Sequence, residues 1–313
     1  MITALVLVVG VVTTGVAMPA VLSTLSRTSL SPAAHLCMWW SAIASTGLSA
    51  VAALLVLLLP GHGGLAAAEW LLASCWAALR SGPLHLDGAA AFAVTALLAV
   101  AAVRATTRIG RSLATVRNRS RTLLTMLGPI GEWEQGVLWI DHSDALAFSL
   151  GGRAQAVVAS TGLRRRLGAS EIQAVLDHER SHLVGRHHVQ VLIAEALARA
   201  LPVLPLFRRA PQAIRHLVEL AADERAARYN DRTVLRRALL GIASGGHSEV
   251  PPGALGAAGT SVEHRLRRLT HDQRQHSRER QIGECTLAIV TGTMLPLLAG
   301  SAAALLLFLV SCA

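Results

Sequence analysis

The chain has 313 residues, of which 52% are hydrophobic and only 15% charged, with a mean hydropathy of +0.48. A soluble domain carries about 25% charged residues, so this composition excludes a highly solvated or disordered protein and points to membrane segments around a polar insert. The net charge of +10 comes from 29 basic residues, all Arg. No stretch reads as a DNA recognition helix, so no direct nucleic-acid partner is expected. Arg held on one side of a bilayer accounts for the imbalance.

In chain order, Ile2 to Leu22 is an almost unbroken apolar run, near the roughly 20 residues that a helix needs to cross a bilayer. It has no basic leader and no clear small-residue cleavage site, so a retained span is expected. Leu36 to Leu59 is a second predicted span, closed by Pro60-Gly61, and Leu84 to Val103 a third, weakened at its start by His85 and Asp87. Between them, residues 60–83 carry Glu69, Trp70, Trp76 and Arg80 among Ala and Leu, the pattern of an interfacial or re-entrant helix. His62, His85 and Asp87 then read as interfacial groups. Thr286 to Val310 is the fourth predicted span.

Arg104, Arg108, Arg111, Arg117, Arg119 and Arg121 follow the third span directly, which by the positive-inside rule places them in the cytoplasm of a bacterial plasma-membrane protein. The expected organisation is residues 1–103 as three spans with the external loop 60–83, residues 104–284 as a cytoplasmic domain, and residues 285–313 as the fourth span. Self-association of such a bundle is left open. Cys37, Cys75, Cys285 and Cys312 form no C-x-x-C pair and read as small apolar residues.

Within the insert, Val137 to Ile140 and Ala154 to Ser160 are predicted strands. Ser170-x-x-Gln173 is a capping box for a helix running to about Arg199. Pro202 and Pro205 interrupt the chain, Pro211 suits the first turn of a helix ending near Asn230, and Asp231 caps another reaching Ser244. Ser261 begins a basic helix leading back to the membrane. Arg164-Arg165-Arg166 and Arg208-Arg209 are expected to meet anionic headgroups.

His178-Glu179-Arg180-Ser181-His182 carries the chemistry. On a helix, positions i and i+4 differ by about 40° in azimuth, so both imidazoles reach one metal ion, while Glu179, offset by about 100°, reaches a water beside it. Zinc requires a third protein ligand and an open position. Glu219, on the following helix, supplies it, and Asp223, one turn on, faces the same way and is expected to fix the tautomer of a ligand imidazole. His187 and His188 fall off the ligand face of a continuous helix, and His216 is a candidate for stabilising an oxyanion.

The segments AVLDHERSHLVGRHH and VELAADERAAR, with three predicted spans before them and one after, resemble the BlaR/MecR-type membrane metallopeptidases, relatives of the HtpX-type membrane proteases. The resemblance runs over nearly the whole chain, and Ala147 to Leu163 is similar to that family's strand pair before the catalytic helix. It implies a mainly α membrane protein, four transmembrane helices carrying a cytoplasmic α+β zincin-like domain. It implies zinc as cofactor, His178, His182 and Glu219 as ligands, Glu179 as catalytic base and Asp223 behind the ligands. The β-lactam sensors of the family carry an external penicillin-binding domain. Here only Ser311, Cys312 and Ala313 follow Val310, and no S-x-x-K occurs, so sensing by acylation is not expected. The implied reaction is hydrolysis of a cytoplasmic protein, such as a winged-helix repressor of the BlaI/MecI type, with the strand at Ala154, Ala156, Val157 and Val158 pairing with extended substrate. The rival readings are membrane-protein quality control and a non-catalytic membrane signalling protein. Glu179 favours catalysis over a structural metal site, which gains nothing from an acid there.

Overall fold

The computed structural model describes residues 2–25, 30–58, 88–152, 155–243, 255–256, 262–270 and 278–312. Loop 60–83, with His62 and Cys75, and also His85, Asp87 and Ala154, lie outside the described residues. The elements in chain order are α1 (Ile2–Leu25), α2 (Pro32–Leu58), α3 (Gly88–Leu127), β1 (Glu132–Glu134), β2 (Val137–Ile140), β3 (Ala147–Leu150), β4 (Ala156–Ser160), α4 (Thr161–Arg166), α5 (Ala169–Val184), α6 (His187–Ala200), α7 (Pro205–Ala226), α8 (Arg232–Ala243), β5 (Leu255–Gly256), α9 (Val262–Thr270) and α10 (Arg278–Cys312).

Helices α1, α2 and α10 pack on one another. None of α1 or α2 is charged, and α10 is uncharged from Cys285 onward, so these helices have no polar face to turn to water. Small residues bring α2 and α10 close: Ser41 Oγ donates to the Ala288 carbonyl at 3.2 Å and Ser45 Oγ to the Gly292 carbonyl at 2.9 Å. A Cβ on Gly292 would stand 2.0 Å from Ser41 Oγ, which is why glycine is needed there. The lower ends of α1 and α2 join the domain core, where Met18, Leu22, Leu36 and Trp39 share one apolar cluster with Leu206, Phe207, Ile214 and Val218 of α7. Among the described residues one stretch, Val8–Leu25, is long and apolar enough to cross a membrane by length and composition.

The predicted third span does not end where the Arg cluster begins. It continues as α3 through Leu127, a single helix of 40 residues that spans about 60 Å at the usual rise. The end of α3 then covers the sheet: Leu123, Leu124 and Leu127 pack on Leu138, Phe148, Leu150 and Val158. The opposite face of the same strands, through Val137, Trp139, Val157 and Ala159, packs against Leu163, Val175, Leu235 and Leu239. This alternation by twos is what a strand buried on both faces demands.

The sheet order is β1-β2-β4-β3-β5, with β2 and β4 parallel and the other pairs antiparallel. Strand β4 is therefore interior. Val157 and Val158 have their backbone edges taken by β2 on one side and β3 on the other, Ala156 pairs with Leu150 of β3, and all three side chains are buried. This corrects the expectation that this strand pairs with substrate, because no free edge remains to augment.

Several local expectations shift for identifiable reasons. Helix α5 starts at Ala169, where the Glu171 carboxylate accepts from the Gly168 N–H at 3.1 Å, so the cap lies ahead of Ser170. The next long helix begins with Pro205 at its first turn and holds Pro211 inside it. Asp231 does cap α8, accepting from the Thr233 N–H at 2.7 Å. Arg164 stacks over the Trp139 ring at 3.6 Å and pairs with Glu134.

Gly292→Ala is expected to destabilise the α2–α10 contact by about 1–3 kcal/mol through overpacking. Thermal unfolding of the purified chain measures this, and Ser41→Gly, which removes the opposing hydroxymethyl group, is expected to restore most of the loss.

Candidate metal centre

Three helices meet at the site. Helix α5 contributes His178, Glu179 and His182, α7 contributes Glu219 and Asp223, and α9 contributes Arg265. The i, i+4 spacing in α5 does what helical geometry requires: the His178 and His182 ring centroids lie 4.8 Å apart, edge to face. Their Nε2 atoms are 3.1 Å apart. Glu219 closes the triangle, with Oε2 at 3.6 Å from His178 Nε2 and Oε1 at 3.5 Å from His182 Nε2.

These separations carry chemical information. Two ligands bound at about 2.0–2.1 Å with tetrahedral angles lie about 3.3 Å from each other. The two nitrogens stand close to that length from each other, each stands close to it from a different oxygen of Glu219, and one ligand atom from each residue lies within 4.8 Å of the other two. A divalent ion fits without rearrangement of the helices. The donor set of two imidazoles and one carboxylate suits zinc among other first-row metals.

Asp223 Oδ1 stands 3.0 Å from His178 Nδ1, the ring nitrogen that points away from the triangle. Arg265 then grips both carboxylates. Its Nε and NH2 donate to Asp223 at 2.7 and 2.6 Å, and its NH1 lies 3.2 Å from Glu219 Oε2. All six residues are buried. Both Glu179 carboxylate oxygens are buried without a hydrogen-bond partner among the described residues, although the Ser149 hydroxyl on β3 is near enough to favour the charged form.

The electrostatics follow from that packing. Burial opposes charge on Asp223 and Glu219, and Arg265 and the histidines nevertheless hold both carboxyls below the usual carboxylate range. Burial likewise disfavours the His178 imidazolium, but its contacts with Asp223 and Glu219 prevail and push it up to about 9. Burial holds His182 neutral, down to about 3. Burial also pushes the Glu179 carboxyl up to about 8, the poise of an acid–base group. The proton that His178 holds in the metal-free state is the one a metal ion displaces.

Sequence reasoning missed two participants. Arg265 was one of 29 basic residues, in a stretch read as a basic helix leading back to the membrane. The available signal was its phase: Val262, Arg265, Leu266 and Leu269 fall at i, i+3, i+4 and i+7, the apolar stripe of α9, where an Arg must have buried partners. The other is His187, placed by sequence off the ligand face. In the structure its Nδ1 lies 2.9 Å from His182 Nδ1, because α5 breaks at Gly185 and does not run on to Arg199. His188 packs against Gly151 and His216 stacks on His264, both outside the ligand triangle.

Residues 132–216 match the model of Peptidase family M48. No curated protein and no solved structure matches the chain. The match points to a metallopeptidase, and it contains His178, Glu179 and His182. It stops short of Glu219, Asp223 and Arg265, which rest on the geometry above.

Two outcomes are expected with zinc ion as probe. His178→Ala and Glu219→Ala lose stoichiometric zinc, whereas Glu179→Gln keeps it, as metal analysis of the purified variants would show. Because the His178 proton must leave and its pKa stands at about 9, zinc affinity rises about tenfold per pH unit from neutrality up to that value and then levels. Chelator competition across this range measures the slope.

Proposed function

We propose that the chain is an integral membrane zinc endopeptidase of the BlaR/MecR-like type, with four spans and its site on the cytoplasmic side. The observation that carries the hydrolytic reading is the division of labour on α5: His178 and His182 complete a ligand group with Glu219, while Glu179 between them is buried outside that group, beside Ser149.

When bound, zinc would polarise a scissile carbonyl and acidify a water. The chain's own residues supply the rest. Glu179 takes a proton from the attacking water and hands it to the leaving amine nitrogen, a role that suits a buried carboxyl poised near neutrality. Asp223 holds the ring of His178, and Arg265 holds Asp223 and Glu219 together. An extended substrate could pair with the outer edge of β3, beside Ser149, only by displacing the two-residue strand Leu255–Gly256, which holds that edge through Ser149 and Phe148.

The membrane reading is supported by apolar side chains that face outward along the long helices. Leu48, Leu97, Val103, Leu287 and Leu298 are each more than 60% exposed, and such a belt is unfavourable in water. The Arg residues of α3 follow the apolar part of that helix on one side only. The substrate class proposed is a cytoplasmic protein, with a winged-helix repressor of the BlaI/MecI type as the specific candidate.

The test is co-expression with candidate repressors and detection of a fragment by mass spectrometry. A fragment that requires Glu179, with at least a thousandfold loss in Glu179→Gln, is the expected result. Intact repressors together with misfolded membrane proteins accumulating in the Glu179→Gln strain would favour HtpX-like quality control instead.

A further inference from the structure

His187 is a buried group that touches the metal centre without belonging to the ligand set. Its position depends on a break in the chain. On a continuous helix it would lie about 140° around from His182. Instead α5 ends at Val184, and Arg186 adopts the left-handed conformation, φ 49° and ψ 38°, which residues with a Cβ rarely take. The chain turns, α6 begins at His187, and the ring folds back edge-on to His182 with centroids 4.9 Å apart.

The Nδ1–Nδ1 distance of 2.9 Å is a hydrogen bond, so one ring must donate and the other accept. His182 Nε2 faces His178 and Glu219 in the ligand triangle. Its hydrogen therefore sits on Nδ1, and His187 Nδ1 is the acceptor. His187 also lines a cavity of about 760 Å³ beside helices α2 and α10, and its Nε2 edge lies close on Gly185, where a Cβ would stand 2.2 Å from it. The turn that places it is itself clamped. Gln190 Nε2 donates to the Gly185 carbonyl at 2.9 Å, and Trp40 Nε1 of α2 donates to Gln190 Oε1 at 2.9 Å.

The geometry points to His187 as a positioning residue for the metal centre: it fixes the tautomer and ring plane of His182, from a turn that Gln190 and Trp40 tie to helix α2. This rests on the reading of His178, His182 and Glu219 as ligands. A carboxylate or a backbone carbonyl usually accepts the outer hydrogen of a ligand histidine; here a second histidine does so, and through it the metal ligand is joined to an apolar helix of the bundle.

The test uses the full chain in detergent, with zinc affinity from chelator competition and the visible absorption of the cobalt(II)-substituted protein. His187→Leu, which lacks an acceptor, is expected to bind zinc about 10–100-fold more weakly and to change the cobalt spectrum. His187→Gln, which retains an acceptor, recovers most of that loss, and Trp40→Phe, which removes only the indole N–H, weakens binding a few-fold. Affinity within twofold of wild type and an unchanged cobalt spectrum in His187→Leu overturn the inference. Should that variant fail to fold, the wild-type zinc protein decides: nitrogen NMR of labelled histidines places the His187 hydrogen on Nε2 if the inference holds and on Nδ1 if it does not. Equal zinc in wild type and Glu219→Ala is a different failure, that of the ligand reading itself, and it removes the basis for a role of His187.

Discussion

Two carboxylates one helical turn apart, Glu219 and Asp223, are buried side by side against two imidazoles. Burying one isolated carboxylate in a low-dielectric interior costs several kcal/mol, and two would repel each other as well. The arrangement stands only because Arg265, itself almost wholly buried, reaches both with a planar fork. That requirement sets the layout of the domain. α9 must dock over α7 with Arg265 inward, α7 must cross α5 where His178 lies, and the sheet must close the other side of α5. Removing the guanidinium alone would leave buried charge uncompensated, which is why this contact outweighs any surface pair in the molecule.

The same network leaves one carboxyl with neither oxygen hydrogen-bonded among the described residues. Arg265 satisfies Asp223, Asp223 and Glu219 hold His178, and His187 holds His182. Glu179 sits in the middle of this network with both oxygens unpartnered. A fully buried acid without a partner is destabilising, and it is tolerated where a reaction uses it.

The part of the site that lies on single helices was legible in the sequence. His178 and His182 at i, i+4, and Glu219 and Asp223 at the same spacing, are fixed by a period of 3.6 residues whatever surrounds them. Strand β2 was legible from its apolar run. What sequence periodicity did not reveal are the effects of chain reversal and of neighbouring strands. The break at Gly185–Arg186 returns His187 to the site, against an extrapolation that assumed one helix to Arg199. The run Ala156–Ser160 reads as a strand, but its interior place between β2 and β3 depends on pairing across the sheet, so its use as a substrate edge could not be judged from composition. Arg265 was hidden among many Arg, and only its place in the apolar phase of α9 distinguished it.

X-ray absorption at the zinc edge of the metal-loaded chain tests the central claim most directly. The account predicts a four-coordinate ion with nitrogen and oxygen neighbours at about 2.0–2.1 Å, including the multiple-scattering signature of two imidazoles. A sulfur shell at about 2.3 Å, or a spectrum without two imidazoles, would contradict it.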